Sequence, residues 1–87
     1  MNPNRLVHRK EYLLRCGLPA KCRGPWKNKP GRFFLTVQGV TFEYRPDGTI
    51  IHSNTKIRVG AGKLTKADMA VDWVGSKRAW AALKEDA

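Results

Sequence analysis

Cys16, Cys22, His8 and His52 are the side chains that first suggest chemistry, because all four residue types can ligate zinc. Zinc sites usually take two ligands from one tight turn, as in C-x2-C or H-x3-H, because that spacing preorganises the metal. Here five residues separate the cysteines and forty-three separate the histidines. No metal or other cofactor is therefore expected. Two cysteines are also too few for a disulfide framework and suit a reducing compartment. Asp68 and Asp72 stand one helical turn apart and could share Mg2+. Asp68 is already accounted for as a first-turn residue, and Asp72 as a solvated neighbour of Lys66 or Ser76. Neither Gly-x-Ser-x-Gly nor His-Glu-x-x-His occurs, so catalysis is not expected. The glycine-rich GAGK at 60–63 precedes Leu64, where a P-loop requires Ser or Thr. That turn feeds a helix start flanked by Lys63 and Lys66. It could hold one phosphate through backbone N–H groups, or act only as a connector.

Phosphate binding is the chemistry that the composition favours. The chain carries a formal charge of +10 over 87 residues. Residues 1–32 hold nine basic groups against one acid, Glu11, whereas residues 33–87 hold eight against six. A basic side chain placed on a phosphate releases condensed counterions, and a concentrated basic segment is the footprint of such binding. The densest stretch is the loop 17–32, with Lys21, Arg23, Lys27, Lys29 and Arg32 around Trp26. Trp26 could stack on a base, or it could pin the loop to the core, as the flanking prolines suggest. The expected function is a non-enzymatic nucleic-acid-binding protein. It would contact the DNA or RNA backbone through this loop and through Lys63 and Lys66 at the later helix start. The alternative is a small basic effector or inhibitor of the phage accessory type. Such a protein would dock on an acidic or nucleic-acid-binding surface of a larger enzyme, with Trp26 and Trp80 as hot spots.

The elements that must position these groups follow from periodicity. Residues 4–16 read as a helix with a basic face, an apolar stripe of Leu6, Leu13 and Leu14, a cap at Asn4 and a stop at Gly17. Residues 32–38 and 40–45 alternate as strands around Gln38-Gly39, a two-residue turn. That register pairs Val37 with Val40, Leu35 with Phe42 and Phe33 with Tyr44 on one face. The Pro-Asp-Gly turn then pairs Arg45 with Thr49 and Tyr44 with Ile50. It opens a third strand at 49–53, which would set His52 beside Phe42 on the core face. A fourth strand is expected at 56–59. A helix should span 65–85, started by a Thr65/Asp68 capping box and ended or kinked at Gly75-Ser76.

The expected architecture is α+β, a single two-layer domain over 1–87. Its terminal helix would cover the Phe33/Leu35/Val37/Phe42/Tyr44 face. Phe34, Ile51 and Glu43 share a row on the opposite face, where the N-terminal helix would cover the apolar pair. The element order, with GAGKLTKADMA opening the last helix, is similar to that of a double-stranded-RNA-binding domain, which places lysines at that helix start. The likeness is confined to residues 60–70 and the element order, and it breaks at Asp68 and at the Pro-Asp-Gly turn. No apolar signal region and no run near 18 apolar residues is present, so a cytoplasmic protein without a membrane partner is expected.

Overall fold

Two-residue alternation in residues 33–37 and 40–44, on either side of Gln38-Gly39, produces a regular hairpin. In the computed structural model, which describes residues 5–25, 27–28, 30–52, 57–59 and 62–85, β3 (Phe33–Val37) and β4 (Val40–Tyr44) form an antiparallel hairpin. Its register is the one read from the sequence: Phe33 with Tyr44, Leu35 with Phe42 and Val37 with Val40. Gln38 and Gly39 both take positive φ, 49° and 79°. A two-residue turn of this hand matches the twist of the flanking strands.

The first 25 residues depart from expectation. Residues 5–16 contain no helix. Instead β1 (Glu11–Leu13) and β2 (Pro19–Cys22) form a second hairpin, and the sheet order is β1-β2-β3-β4, antiparallel throughout. Gly17 ends no helix. Its N–H donates to the Leu14 carbonyl at 2.8 Å, Leu14 N–H donates to the Leu18 carbonyl at 2.9 Å, and Gly17 has φ +92°. This is a three-residue hairpin loop closed by a left-handed glycine. The turn after β4 repeats the device: Gly48 donates to Arg45 and Arg45 to Thr49, each at 2.9 Å. Upstream, Arg9 N–H donates to the Cys22 carbonyl while Cys22 N–H donates to the Lys10 carbonyl. Two residues thus oppose one, a β-bulge, with Arg9 at φ +70° in the position that favours glycine.

The expected third strand is reduced to a single bridge, Tyr44 to Ile50, plus a bond from Ile51 N–H to the Glu43 carbonyl at 3.1 Å. His52 is exposed rather than in the core. Residues 53–56 lie outside the described set. A separate two-stranded ribbon follows, β5 (Arg58–Val59) with β6 (Gly62–Lys63).

The expected 65–85 helix is two helices. The first, α1 (Lys66–Met69), starts in a complete Thr65/Asp68 capping box. The second, α2 (Trp73–Glu85), starts after Asp72, whose carboxylate accepts from Gly75 N–H at 2.9 Å. The break falls at residues 70–72, not at Gly75-Ser76, because Val71 is drawn into sheet-like pairing. It bridges Leu14, and its N–H donates to the Gly48 carbonyl at 2.9 Å. Asp72 N–H donates to the Leu13 carbonyl, Arg15 N–H to Ala70 and Cys16 N–H to Asp68. The segment 68–72 therefore pairs along residues 13–16, and together with the Ser76 hydroxyl on Leu13 N–H and the Trp80 indole on the Glu11 carbonyl it satisfies the free edge of β1, which would otherwise invite pairing with another chain. It also ties that edge to the turn after β4, so the sheet is curled toward closure.

The core lies inside this curl. Leu6, Tyr12, Leu14, Ala20, Cys22, Leu35, Val37, Tyr44, Ile50 and Met69 are almost completely buried. The terminal helix does not lie across the Phe33/Leu35/Val37 face. Its sheet contacts are with β1, where Ser76 and Gly75 meet Leu13 and where Tyr12 packs edge-on against Trp73 and Trp80. The result is a small α+β domain with a four-stranded sheet, and loops rather than a helix fill much of its interior. No helix among the described residues is long and apolar enough to cross a membrane.

Candidate nucleic-acid interface

Strand alternation sends Ala20 and Cys22 inward, so Lys21 and Arg23 face outward and both are exposed. Two rows of side chains form on that outer face. In the first, Glu11, Lys21, Thr36 and Thr41 stand side by side across β1 to β4. The Thr36 and Thr41 hydroxyl oxygens are 3.2 Å apart. In the second, Arg23 N–H donates to the Phe34 carbonyl at 2.7 Å, and Phe34 is paired with Glu43. Ile51 lies just beyond Glu43. Phe34 and Ile51 are half-buried and belong to no part of the core cluster. The expected helical cover over them does not exist, since residues 5–16 form no helix.

Arg32, two residues before Phe34, lies on the same face beside this row. Its guanidinium donates through Nε (3.3 Å) and a terminal nitrogen to the two oxygens of the Glu43 carboxylate. It also lies 5.6 Å from the centre of the Phe34 ring, within cation–π range. The Arg32 side chain is 48% exposed, so water screens the pair and it adds little to stability. The sequence reading missed this pair. The signal was present, because Phe34 opposite Glu43 brings Arg32, two residues earlier on the same face, diagonally next to that carboxylate.

Of the side chains expected to bind phosphate, Lys21, Arg23 and Arg32 share the outer face. Lys27 is exposed in the adjoining loop. The expectations for Trp26 and Lys29 lie outside the described residues, as does that for the side chain of Lys63, whose backbone pairs with Arg58. Lys66 is exposed but sits in α1. That helix lies on the other side of the sheet, because the hydroxyl of core-facing Tyr44 donates to the Met69 carbonyl at 2.8 Å. The start of α1 already holds an anion: the Asp68 carboxylate accepts from Thr65 N–H at 2.9 Å, and Asp68 N–H donates to Thr65 Oγ1. The Thr65 N–H and the Thr65 hydroxyl, both donating to the carboxylate, hold the Asp68 carboxyl below its ordinary value.

Cys22, His8, Asp68, Asp72, Trp73 and Trp80 are engaged within the fold. Cys22 is fully buried with its thiol toward the Gly24 carbonyl at 3.6 Å, and burial pushes that thiol up to about 11. His8 Nδ1 accepts from Gly24 N–H at 2.8 Å. Among the described residues no three His, Cys, Asp or Glu side chains come together as a metal site. Asp68 and Asp72 each cap their own helix. Trp73 donates its indole N–H to the Asp47 carbonyl at 3.1 Å, and Trp80 donates to the Glu11 carbonyl while Lys10 lies over its ring. Comparison with protein-family models, curated sequences and solved structures yields no match to this chain.

Proposed function

We propose that the protein is a non-enzymatic nucleic-acid-binding module whose outer sheet face and adjoining loop contact backbone phosphates. The observation that carries this reading is the grouping of Lys21, Arg23 and Arg32 on the sheet face turned away from the core, continuous with the loop that bears Lys27. The concentration of charge in residues 1–32 supports it. Lys21, Arg23 and Lys27 are the primary contacts. Arg32 joins them when an incoming phosphate competes with Glu43. Lys66, on the opposite side of the sheet, adds to the long-range field and not to the contact.

The test is anisotropy of a labelled oligonucleotide across a salt series. Affinity should fall steeply, with a log–log slope of roughly −0.7 to −0.9 per phosphate contacted. Flat dependence, or no binding at low salt, would refute the reading. A protein partner recovered from nuclease-treated lysate, together with that failure, would support a protein-binding effector instead.

A further inference from the structure

We infer that the ligand of the outer face is single-stranded nucleic acid, held by stacking of an unpaired base on Phe34. This rests on the nucleic-acid reading above and narrows it. Phe34 lies on β3, an interior strand of the sheet, yet its ring is turned from the core and only half-buried. Its neighbours on the face are Arg23 across β2, Glu43 across β4 and Thr36 two residues along β3. None of these covers an aromatic ring with apolar surface. Among the described residues, the Arg32 guanidinium lies over the ring at 5.6 Å, on a side chain that is 48% exposed and held by a surface ion pair. Such a pair opens at little cost, so a base can take its place over the ring while Arg32 turns to the following phosphate.

Three features favour a single strand over a duplex. An aromatic ring set among cations offers a stacking platform to any unpaired base, and a duplex hides its base faces. Lys21, Arg23, Phe34 and Thr36 all lie on sheet strands or their direct continuation, and none projects on a helix or ribbon into a groove. Finally, Glu43 sits beside Phe34. A carboxylate repels the phosphates of a duplex laid across it, but it accepts hydrogen bonds from the amino groups of an exposed adenine or cytosine edge.

The experiment compares a labelled 12-mer single strand with a duplex of the same length, against the whole chain and three variants whose folding is checked by thermal melting. The wild type should bind the single strand at least tenfold more tightly. Phe34→Leu keeps apolar bulk but removes the ring face. It should weaken single-strand binding about five- to a hundredfold, leaving duplex affinity and salt slope unchanged. Lys21→Ala/Arg23→Ala should weaken both ligands and reduce the single-strand slope by roughly 1.4. In Phe34→Trp, the single strand should quench fluorescence beyond the wild-type change and the duplex should not. This arm stands even if Phe34→Leu fails to fold. Equal affinity for both ligands, or loss of binding in the basic double variant with no effect at Phe34, would overturn the inference and leave nucleic-acid binding standing. Absence of any salt-dependent binding by the wild type would overturn both.

Discussion

Gly48 adopts φ +88°, and a β-carbon built on it would fall 2.9 Å from both Val71 Cβ and the Trp73 ring. The position is doubly restricted, by backbone conformation and by the two residues that clamp the turn after β4 onto the start of α2. Gly48→Ala should therefore cost about 2–4 kcal/mol, read from the shift in urea midpoint. Arg9 presents the opposite case. It holds φ +70° on an exposed bulge, where an L side chain is strained and nothing depends on its bulk. Arg9→Gly should stabilise the protein by about 0.5–1 kcal/mol in the same assay. The role of Gly48 was readable from Pro-Asp-Gly, which has strong turn chemistry. The need at Arg9 was invisible, because it arises only when two residues must face Cys22.

At the level of elements, the contact between α2 and β1 depends on Ser76. It is fully buried, and its hydroxyl accepts from Leu13 N–H at 2.7 Å. It does what a neighbouring strand would do for that edge. Ser76→Ala leaves a buried donor unpaired and should cost about 1–3 kcal/mol. Val74→Ala, on the exposed side of the same helix at 63%, should change stability by less than about 0.5 kcal/mol. Gly75-Ser76 looks like a kink in sequence because both residue types weaken helices locally. In the folded protein they are the small residues that let the helix approach the strand. The N-terminal segment shows the same limitation. Leu6, Leu13 and Leu14 fit a helical stripe, but the strand wins because β2 offers β1 a ladder and Asp72, Ser76 and Trp80 bond its other edge.

Across the whole molecule, titrating groups bound stability on both sides. Asp47, bonded by the Thr49 side chain and backbone, and Asp68, bonded by Thr65, lie below their ordinary value of 3.8. A lowered carboxylate contributes fully above its unfolded value and loses that contribution as pH falls through the folded one. On the alkaline side, burial raises Cys22 from 9.0 to about 11 and raises both Tyr12 and Tyr44 above 10.0. The Cys22 contribution is complete below 9.0 and is lost as pH rises toward 11, and those of Tyr12 and Tyr44 are lost only above 10.0. Melting temperature should thus be level between about pH 5 and 8.5 and fall on both sides. Asp47→Asn/Asp68→Asn should flatten the acid limb alone. Calorimetry across the pH range checks both statements.

The sequence by itself determined the β3–β4 hairpin with its register, the Arg45–Thr49 turn, the Thr65/Asp68 cap and the concentration of charge before residue 33. Each depends on residues within a few positions of one another, where turn chemistry and two-residue alternation leave one solution. It also identified the row of Phe34, Glu43 and Ile51, because that row follows from the same register. Only the tertiary structure decided that residues 11–13 and 19–22 are strands, that the C-terminal helix breaks at 70–72, and that Lys21, Arg23 and Arg32 share a face while Lys66 lies on the other side. Those outcomes depend on partners distant in the chain. Leu13 meets Ser76, Leu14 meets Val71 and Gly48 meets Trp73, and local propensity carries no information about pairs so far apart.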